Sequence, residues 1–482
     1  MSTRQPLTLT SLPIPMPYGA HLHNGEVRIN NASNLARHMR PLAMLANIGS
    51  PTQQAWAQWL IWEFAGILGI YSASMHRLYR AVARRKVPNT FTVPAMNIRT
   101  LTFDLVVLAF QLARERNAGA IIFEIARSEI GYTGQSPEQY AATIMAAAIA
   151  AGWTGPVFLQ GDHFQVSAGR YKADQGAEIG AVEDLIRRAV LKGRFLNIDV
   201  DMSTLVDLDR STLREQQNPN AFWTAHMLRL IRSIQPEGIN ISVGAEIGEV
   251  GGVNSTPADL AAFMAEFNYI MSTGNHQRPI AGPSHMSIQD GTTHGGVPLP
   301  DGTIAQVMLD LDVLRQLGVR ARRDHDMVVV QHGFSTLPAA AFGLLREAGA
   351  TECHLATGIQ VAALKNIPMG LRKEMMRWLL ENKGGPKADQ TEEQWWHINA
   401  KHALGKFADR IWSMPEWNRD QAVSAVKALM STIFDAFNIQ NTRPLVERFA
   451  PPPSHPLPNP RPDEVEVTAM SSGDGDTSDL AD

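Results

Sequence analysis

The chain has 482 residues, of which 44% are hydrophobic, enough to fill one large domain of about 250–300 residues with additional segments. Its formal net charge of -4 indicates no basic surface for nucleic acid or for an acidic membrane. The single cysteine, Cys353, excludes an internal disulfide framework and a thiolate-rich zinc site. We therefore expect a cytoplasmic protein in which any metal is bound by histidines and carboxylates.

Residues 1–85 predict an irregular and helical N-terminal extension. The first 32 residues are rich in proline and asparagine, and their start lacks the pattern of a secretory signal. Apolar residues then recur at helical spacing, as at Trp56, Leu60 and Phe64. The most apolar stretch, residues 59–71, is too short to span a bilayer and is interpreted as a buried helix.

Residues 86–360 alternate strand-like and helix-like runs, which predicts an α/β fold of the (β/α)8 TIM-barrel class. Each strand candidate is a short apolar run of the kind found in buried parallel sheets. A doubly wound sheet is less favoured, because no glycine-rich nucleotide-binding motif opens a helix. The candidates cover residues 91–97, 119–125, 155–161, 194–200, 240–248, 279–285, 326–332 and 351–357.

Two further segments follow the barrel candidate. Residues 361–450 predict a tryptophan-rich helical region that would suit a cap or a contact between subunits. Residues 451–482 are rich in proline and acidic side chains, and they predict a disordered tail because they bury too little apolar area.

Three histidines each lie at or near the end of an apolar run. Residues close after them could bind a ligand through their backbone groups. His163 ends PVFLQGDH, His294 lies in GTTHGG and His332 lies in VVVQHG. The carboxyl ends of barrel strands face the active-site mouth, so three imidazoles meeting there would form an open metal site. Gly295 would let backbone approach a ligand, and backbone N–H groups near Gly333 and Ser335 would suit a phosphate.

Acidic residues stand beside these histidines. Asp162 precedes His163, and neighbouring side chains of a strand point to opposite faces unless the chain turns there. It is either an acid–base group at the mouth or the cap of a turn. Glu246 and Glu249 are candidates for a histidine partner, a metal ligand or an acid–base group, or else solvated loop carboxylates.

Three other polar residues have less defined roles. Asp199 and Asp201 end the fourth strand candidate, where one would face the mouth unless it caps a helix. His285, in GPSHMS, competes with the three histidines, and the local pattern does not reject it.

These segments, in this order, resemble the class II (zinc-dependent) aldolases, a family that includes the fructose-bisphosphate and tagatose-bisphosphate enzymes. The resemblance covers about residues 75–365. The first half of this region more closely resembles the accessory tagatose-bisphosphate aldolase subunits, because of the segments GYTGQSPEQY, LQGDH and NIDVDMS. The matching segments are AMN (95–97), the Asp162–His163 pair, EIGEVGG (246–252), TTHG (292–295), HGFST (332–336) and HLAT (354–357).

The resemblance implies a TIM-barrel lyase that binds one Zn²⁺ per chain and cleaves a ketose phosphate. It also implies a homo-oligomer, a dimer or a tetramer. Asp162 would exchange the proton of the C4 hydroxyl, and Glu249 is a candidate for the C3 proton. The implied metal ligands are His163, His294 and His332, with Glu246 as a further candidate. The implied substrate contacts are Asn97, Gly295, Gly333, Ser335 and Thr357.

Several positions depart from the family pattern. Gln160 replaces a histidine, Val253 and Asn254 replace an acidic pair, His354 replaces the asparagine of the eighth strand, and Phe334 replaces a glycine of the phosphate loop. These changes preserve the metal ligands and alter phosphate binding and proton transfer. Two alternatives therefore stay open. One is another metal-dependent sugar enzyme on this barrel, such as an epimerase or isomerase, and the other is a non-catalytic partner subunit of an aldolase.

Overall fold

The N-terminal extension contains a hairpin as well as helices. The computed structural model describes residues 12–247, 254–273, 280–290, 310–333, 337–455 and 457–463. Ser50 and Gln53 form a capping box in which each side chain accepts the backbone N–H of the other, which fixes the start of the third helix. The elements are β1 (Ala20–His23), β2 (Glu26–Ile29), α1 (Ala32–Arg37), α2 (Met39–Ile48), α3 (Pro51–Ile67), β3 (Ile70–Ser72) and α4 (His76–Ala83).

Eight parallel strands close into a barrel, which confirms the predicted (β/α)8 fold. Each strand pairs with the next along the chain, and the last pairs with the first, while β3 pairs with the first residues of the third barrel strand. The barrel strands are β4 (Val93–Asn97), β5 (Ile122–Ala126), β6 (Gly155–Gln165), β7 (Asn197–Asp201), β8 (Ser242–Glu246), β9 (His285–Ile288), β10 (Val328–Gln331) and β11 (Glu352–Leu355).

Helices cover the outside of the barrel, and the apolar outward faces of the strands pack against them. The buried core there includes Phe123, Leu159, Ile198 and Val329, each one residue away from an inward-facing position. The helices between strands are α5 (Thr102–Glu115), α6 (Arg127–Thr133), α7 (Pro137–Ala150), α8 (Ala168–Ala173), α9 (Gln175–Leu191), α10 (Leu213–Ile234), α11 (Pro257–Ser272), α12 (Leu311–His325) and α13 (Ala339–Ala348).

Helix α4 closes the amino-terminal end of the barrel. Its buried face packs on inward-facing apolar residues of the strands, among them Val93, Ile122 and Val328. At the same end, the backbone N–H of Met75 donates to the side chain of Asn197. The opposite, carboxyl-terminal end therefore forms the mouth, where ligands bind in such barrels.

The strand register arranges the inward-facing side chains in layers, each contributed by alternate strands. We call the layer nearest the mouth the mouth layer and the next one the second layer. The mouth layer contains Asn97, Asp162, Glu246 and His332. The second layer contains Glu124, Asp199, Ser287 and His354.

The sixth barrel strand differs from its prediction. The apolar run at 279–285 was expected to form it, and the strand instead covers His285–Ile288. Pro279 and Pro283 lack the N–H groups that a central strand needs for pairing, whereas the following residues have them.

Helices also follow the barrel, as the sequence predicts for residues 361–450. They are α14 (Thr357–Leu364), α15 (Met369–Lys383), α16 (Glu392–Asn399), α17 (Ala408–Trp412), α18 (Glu416–Ala436) and α19 (Arg443–Phe449). In the described part of the tail, Asn459 donates to the side chain of Glu63. The domain boundaries at residues 85, 360 and 450 stay a proposal. Among the described residues, we find no helix long and apolar enough to cross a membrane.

Candidate functional site

The strand that carries Asp162 and His163 is irregular at this point. Its pairing with β7 shifts between Gly161 and Phe164, and His163 adopts a φ of 39°, in the left-handed region. A side chain at Gly161 would collide with the ring of Phe164. Because the backbone bulges, Asp162 and His163 both contact mouth groups, although they are neighbours on one strand.

Two imidazoles oppose each other at the mouth. Nε2 of His163 lies 2.9 Å from Nδ1 of His332, and the ring centroids are 4.3 Å apart. The side chains are almost entirely buried, so two nitrogen donors converge in a space with little water. One ligand atom of Glu246 lies within 4.8 Å of one from each histidine, a spacing that would accommodate a metal ion.

Carboxylates hold the other side of the His163 ring. Its Nδ1 lies 3.1 Å from Asp201 and 3.3 Å from Glu246. Burial opposes the charged ring, yet Asp162 and Glu246 hold the pKa of His163 well above its ordinary range. Burial, together with the nearby charge of Asp201, raises the pKa of Glu246 to about 7. A carboxylate on Nδ1 leaves Nε2 available to a metal, as is common for metal-binding histidines.

Asp162 is held at both oxygens. Nδ2 of Asn97 donates to Oδ2 at 2.8 Å, and Nδ1 of His354 lies 3.1 Å from Oδ1. Burial acts to raise the pKa of Asp162, but the adjacent His163 and His354 hold it well below its ordinary range. The side chain is therefore an oriented carboxylate that is ionised at neutral pH.

Other predicted residues lie around this centre. Asn97 also donates to Glu129 at 3.0 Å, and Glu129 pairs with Arg99. Gly333 follows His332 with a φ of 70°, a conformation that glycine adopts readily. Thr357 begins α14 directly after the eighth barrel strand and is buried.

Four predicted site residues lie outside the described residues: Glu249, His294, Gly295 and Ser335. The structure thus brings together Asn97, Asp162, His163, Glu246 and His332 at the mouth. One of Asp199 and Asp201 was expected at the mouth, and Asp201 lies there beside His163, whereas His354 was noted only as a departure from the family pattern. The available signal was period-two spacing of polar residues, in NIDVD and ECHL, which places them on the inward face of their strands.

These features define a (β/α)8 TIM-barrel protein whose mouth is lined with histidines and carboxylates. The family model for class-II fructose-bisphosphate aldolase matches residues 78–442, and the chain belongs to this family. The predicted resemblance is confirmed. A search of curated proteins found no match.

Solved structures align with this chain at low sequence identity, and the first one below, with a TM-score above 0.5, shows the same fold. A protein of Sinorhizobium meliloti 1021, described as a probable tagatose 6 phosphate kinase, aligns with a TM-score of 0.52 and 17% identity over 72% of this chain and 100% of its own. The YdjI aldolase of Escherichia coli K12 aligns with a TM-score of 0.41 and 17% identity over 71% and 97%. A fructose-bisphosphate aldolase of Campylobacter jejuni aligns with a TM-score of 0.45 and 16% identity over 77% and 97%.

Proposed function

We propose that the chain is a metal-dependent aldolase that reversibly cleaves a ketose phosphate into a dihydroxyacetone-phosphate-type ketone and an aldehyde. The observation that carries this proposal is the convergence of His163 and His332 at 2.9 Å beside the oriented carboxylate of Asp162. Membership of the class-II aldolase family supports the same reaction class.

The donor set at the mouth fits a zinc ion. His163 and His332 would bind it through the two opposed nitrogens, and His294 is the third ligand that the sequence predicts. Glu246 is within reach as an additional ligand or as a support for His163. Bound Zn²⁺ would act as a Lewis acid on the ketone oxygen and stabilise the enediolate charge. Asp201 would orient the ring of His163 for this purpose.

Asp162 is the proposed acid–base group. Its low pKa makes it an ionised carboxylate that can accept the proton of the C4 hydroxyl during cleavage and return it during condensation. Asn97 and His354 fix both of its oxygens, so that little rearrangement is needed when the proton moves. Glu249 stays our candidate for the C3 proton.

The backbone at the mouth is the proposed binding site for the ketose phosphate. The left-handed turn at Gly333 and the hydroxyl of Thr357 follow the seventh and eighth barrel strands, at the rim of the mouth. With Gly295 and Ser335, they would bind the phosphate through N–H and hydroxyl donors. Location in the cytoplasm and assembly into a dimer or tetramer stay predictions.

The test is aldol cleavage of fructose 1,6-bisphosphate and tagatose 1,6-bisphosphate by the purified chain, with metal content measured on the same sample. We expect cleavage that a chelator abolishes and Zn²⁺ restores. Bound metal without cleavage of either sugar would favour an epimerase or isomerase. Absence of both metal and cleavage, with capture of a separate aldolase chain, would favour the partner-subunit alternative.

A further inference from the structure

Charged side chains fill the barrel interior beneath the mouth layer. Such barrels are ordinarily packed there with branched apolar residues. Glu124 and Asp199 belong to the second layer, and His285 and Glu352 project from the inward faces of β9 and β11 nearer the closed end. Glu124, His285 and Glu352 are buried, and the side chain of Asp199 keeps 14% exposure.

Three of these side chains converge on one point. One ligand atom each from Asp199, His285 and Glu352 lies within 4.8 Å of the other two. Nε2 of His285 lies 2.6 Å from Oδ1 of Asp199. Gly244 provides the space for this pair, because a Cβ at that position would collide with both of these atoms.

Outer groups hold the converging side chains in place. Nδ1 of His285 lies 3.2 Å from the hydroxyl of Ser284, which is itself 2.7 Å from the hydroxyl of Ser242. This contact leaves Nε2 of His285 directed into the cluster. The hydroxyl of Tyr79 donates to Oε2 of Glu352. Such outer partners are typical of metal ligands, since they fix the tautomer and orientation of the donor atoms.

Negative charge in the cluster is incompletely compensated. Among the described residues, no lysine or arginine lies within ion-pair distance of Glu124, Asp199 or Glu352, and only His285 and His354 do. Three carboxylates this far from water are costly unless a cation balances them.

A second observation points to a missing partner. Oε1 of Glu124 is fully buried and makes no hydrogen bond, although it lies 3.2 Å from Nδ1 of His354. Glu124 also has an oxygen within 4.8 Å of an oxygen of Asp199. In the same layer, the buried hydroxyl of Ser287 has no hydrogen-bond partner. Buried polar atoms of this kind are rare, and two in one layer suggest a bound ion or water.

We propose that Asp199, His285 and Glu352, with Glu124 beside them, form a second divalent-cation site inside the barrel. Carboxylates and one imidazole are a donor set suited to Mn²⁺ or Zn²⁺. The site lies beneath the metal centre at the mouth, and the ring of His354 stands between them, 4.1 Å from the ring of His332 and 2.7 Å from Glu352. Asp162 adjoins the interior site, since one of its oxygens lies within 4.8 Å of an oxygen of Glu124 and of Asp199. It does not depend on the proposed aldolase reaction.

The test is metal binding by a chain whose mouth site has been removed. Purified full-length protein is stripped with a chelator, dialysed against Mn²⁺ or Zn²⁺, and analysed for bound metal by mass spectrometry. We expect about two equivalents in the unmodified chain, about one in His163→Ala/His332→Ala, and none when His285→Asn is added. Co²⁺ loaded into the double variant should give a visible absorption spectrum that the third substitution removes.

Two further variants separate metal loss from misfolding. Glu124→Gln keeps the shape of the side chain and should weaken the metal retained by the double variant at least tenfold. His226→Asn is the matched control, since it removes a partly exposed imidazole 2.6 Å from Glu183. A double variant that is folded by circular dichroism but holds no metal would overturn the interior site and leave the aldolase proposal intact. If instead the double variant keeps all the metal of the unmodified chain and only His285→Asn removes metal, the interior site is supported and the mouth site is refuted.

Discussion

The substitution Asp162→Asn tests the proposed acid–base group with little change of shape. The carboxylate accepts a hydrogen bond from Asn97 at Oδ2 and lies 3.1 Å from Nδ1 of His354 at Oδ1. Asparagine can keep its oxygen towards Asn97 and turn its NH₂ group towards His354. The charge of Asp162 is one of those that raise the pKa of His354, so its removal allows Nδ1 of His354 to lose its proton and accept from the new NH₂ group. We therefore expect the side chain to stay in place while its basicity is lost.

The expected loss is in kcat. General acid–base catalysis contributes about 10²–10⁴ in rate, which corresponds to roughly 3–5 kcal/mol of transition-state stabilisation. Because Asn97 continues to hold residue 162, we expect KM to change by no more than about threefold. Bound metal should stay at the unmodified level, since the ring nitrogen of His163 nearest to Asp162 is 3.9 Å away.

The assay is a coupled measurement of triose phosphate release, with metal content determined on the same preparations. Asp184→Asn is the control, because the side chain of Asp184 is 86% exposed and lies on a surface helix. Loss of less than tenfold in kcat at full metal content would refute the role of Asp162. Loss of metal together with activity would show that the carboxylate supports the metal site instead.

Three other changes should have measurable effects. Asp201→Asn removes the carboxylate partner of His163 and should weaken Zn²⁺ binding about 10–100-fold in equilibrium dialysis. Gly244→Ala places a methyl group against Asp199 and His285 and should lower the free energy of unfolding by about 1–3 kcal/mol in a denaturant titration. In the metal-free chain, the pKa of Glu246 is raised from 4.5 to about 7, so the folded state retains its proton longer than the unfolded state. This contribution to stability is complete below pH 4.5 and is lost as the pH rises through about 7, and Glu246→Gln should remove that dependence.

The barrel could be predicted because buried parallel strands have a simple sequence pattern. Runs such as AIIF (120–123) and MVVV (327–330) are continuous, short and followed by a polar residue, and all eight candidates overlap a strand. The prediction of the sixth strand was the least accurate. The segment at 279–285 has the hydropathy of a strand, but its prolines have no N–H group for pairing. The hairpin at residues 20–29 was absent from the prediction because each of its strands has only four residues, although Ala-His-Leu-His and Glu-Val-Arg-Ile do alternate apolar and polar side chains.

The mouth could be predicted only in part. Residues at the carboxyl ends of strands are expected to converge, and Asn97, Glu246 and His332 all lie in the mouth layer. The orientation of the Asp162–His163 pair depends on a bulge and a positive φ at His163. These are set by the close approach of Phe164 to Gly161, a tertiary contact that local sequence does not contain.

Of the interior charges, Asp199 and His285 were noted as candidates for other roles, whereas Glu124 and Glu352 were overlooked because the strands were interpreted by their apolar runs. In parallel barrels, however, outward residues alone can supply that apolar character, as Phe123 and Ile125 do around Glu124. Polar residues at every second position of such a strand then indicate a polar barrel interior. His354 shows its consequence, since its two ring nitrogens lie against Asp162 on one side and Glu352 on the other. A cation that draws Glu352 away from His354 would therefore change the support of Asp162, which links the charge of the interior to the geometry of the mouth.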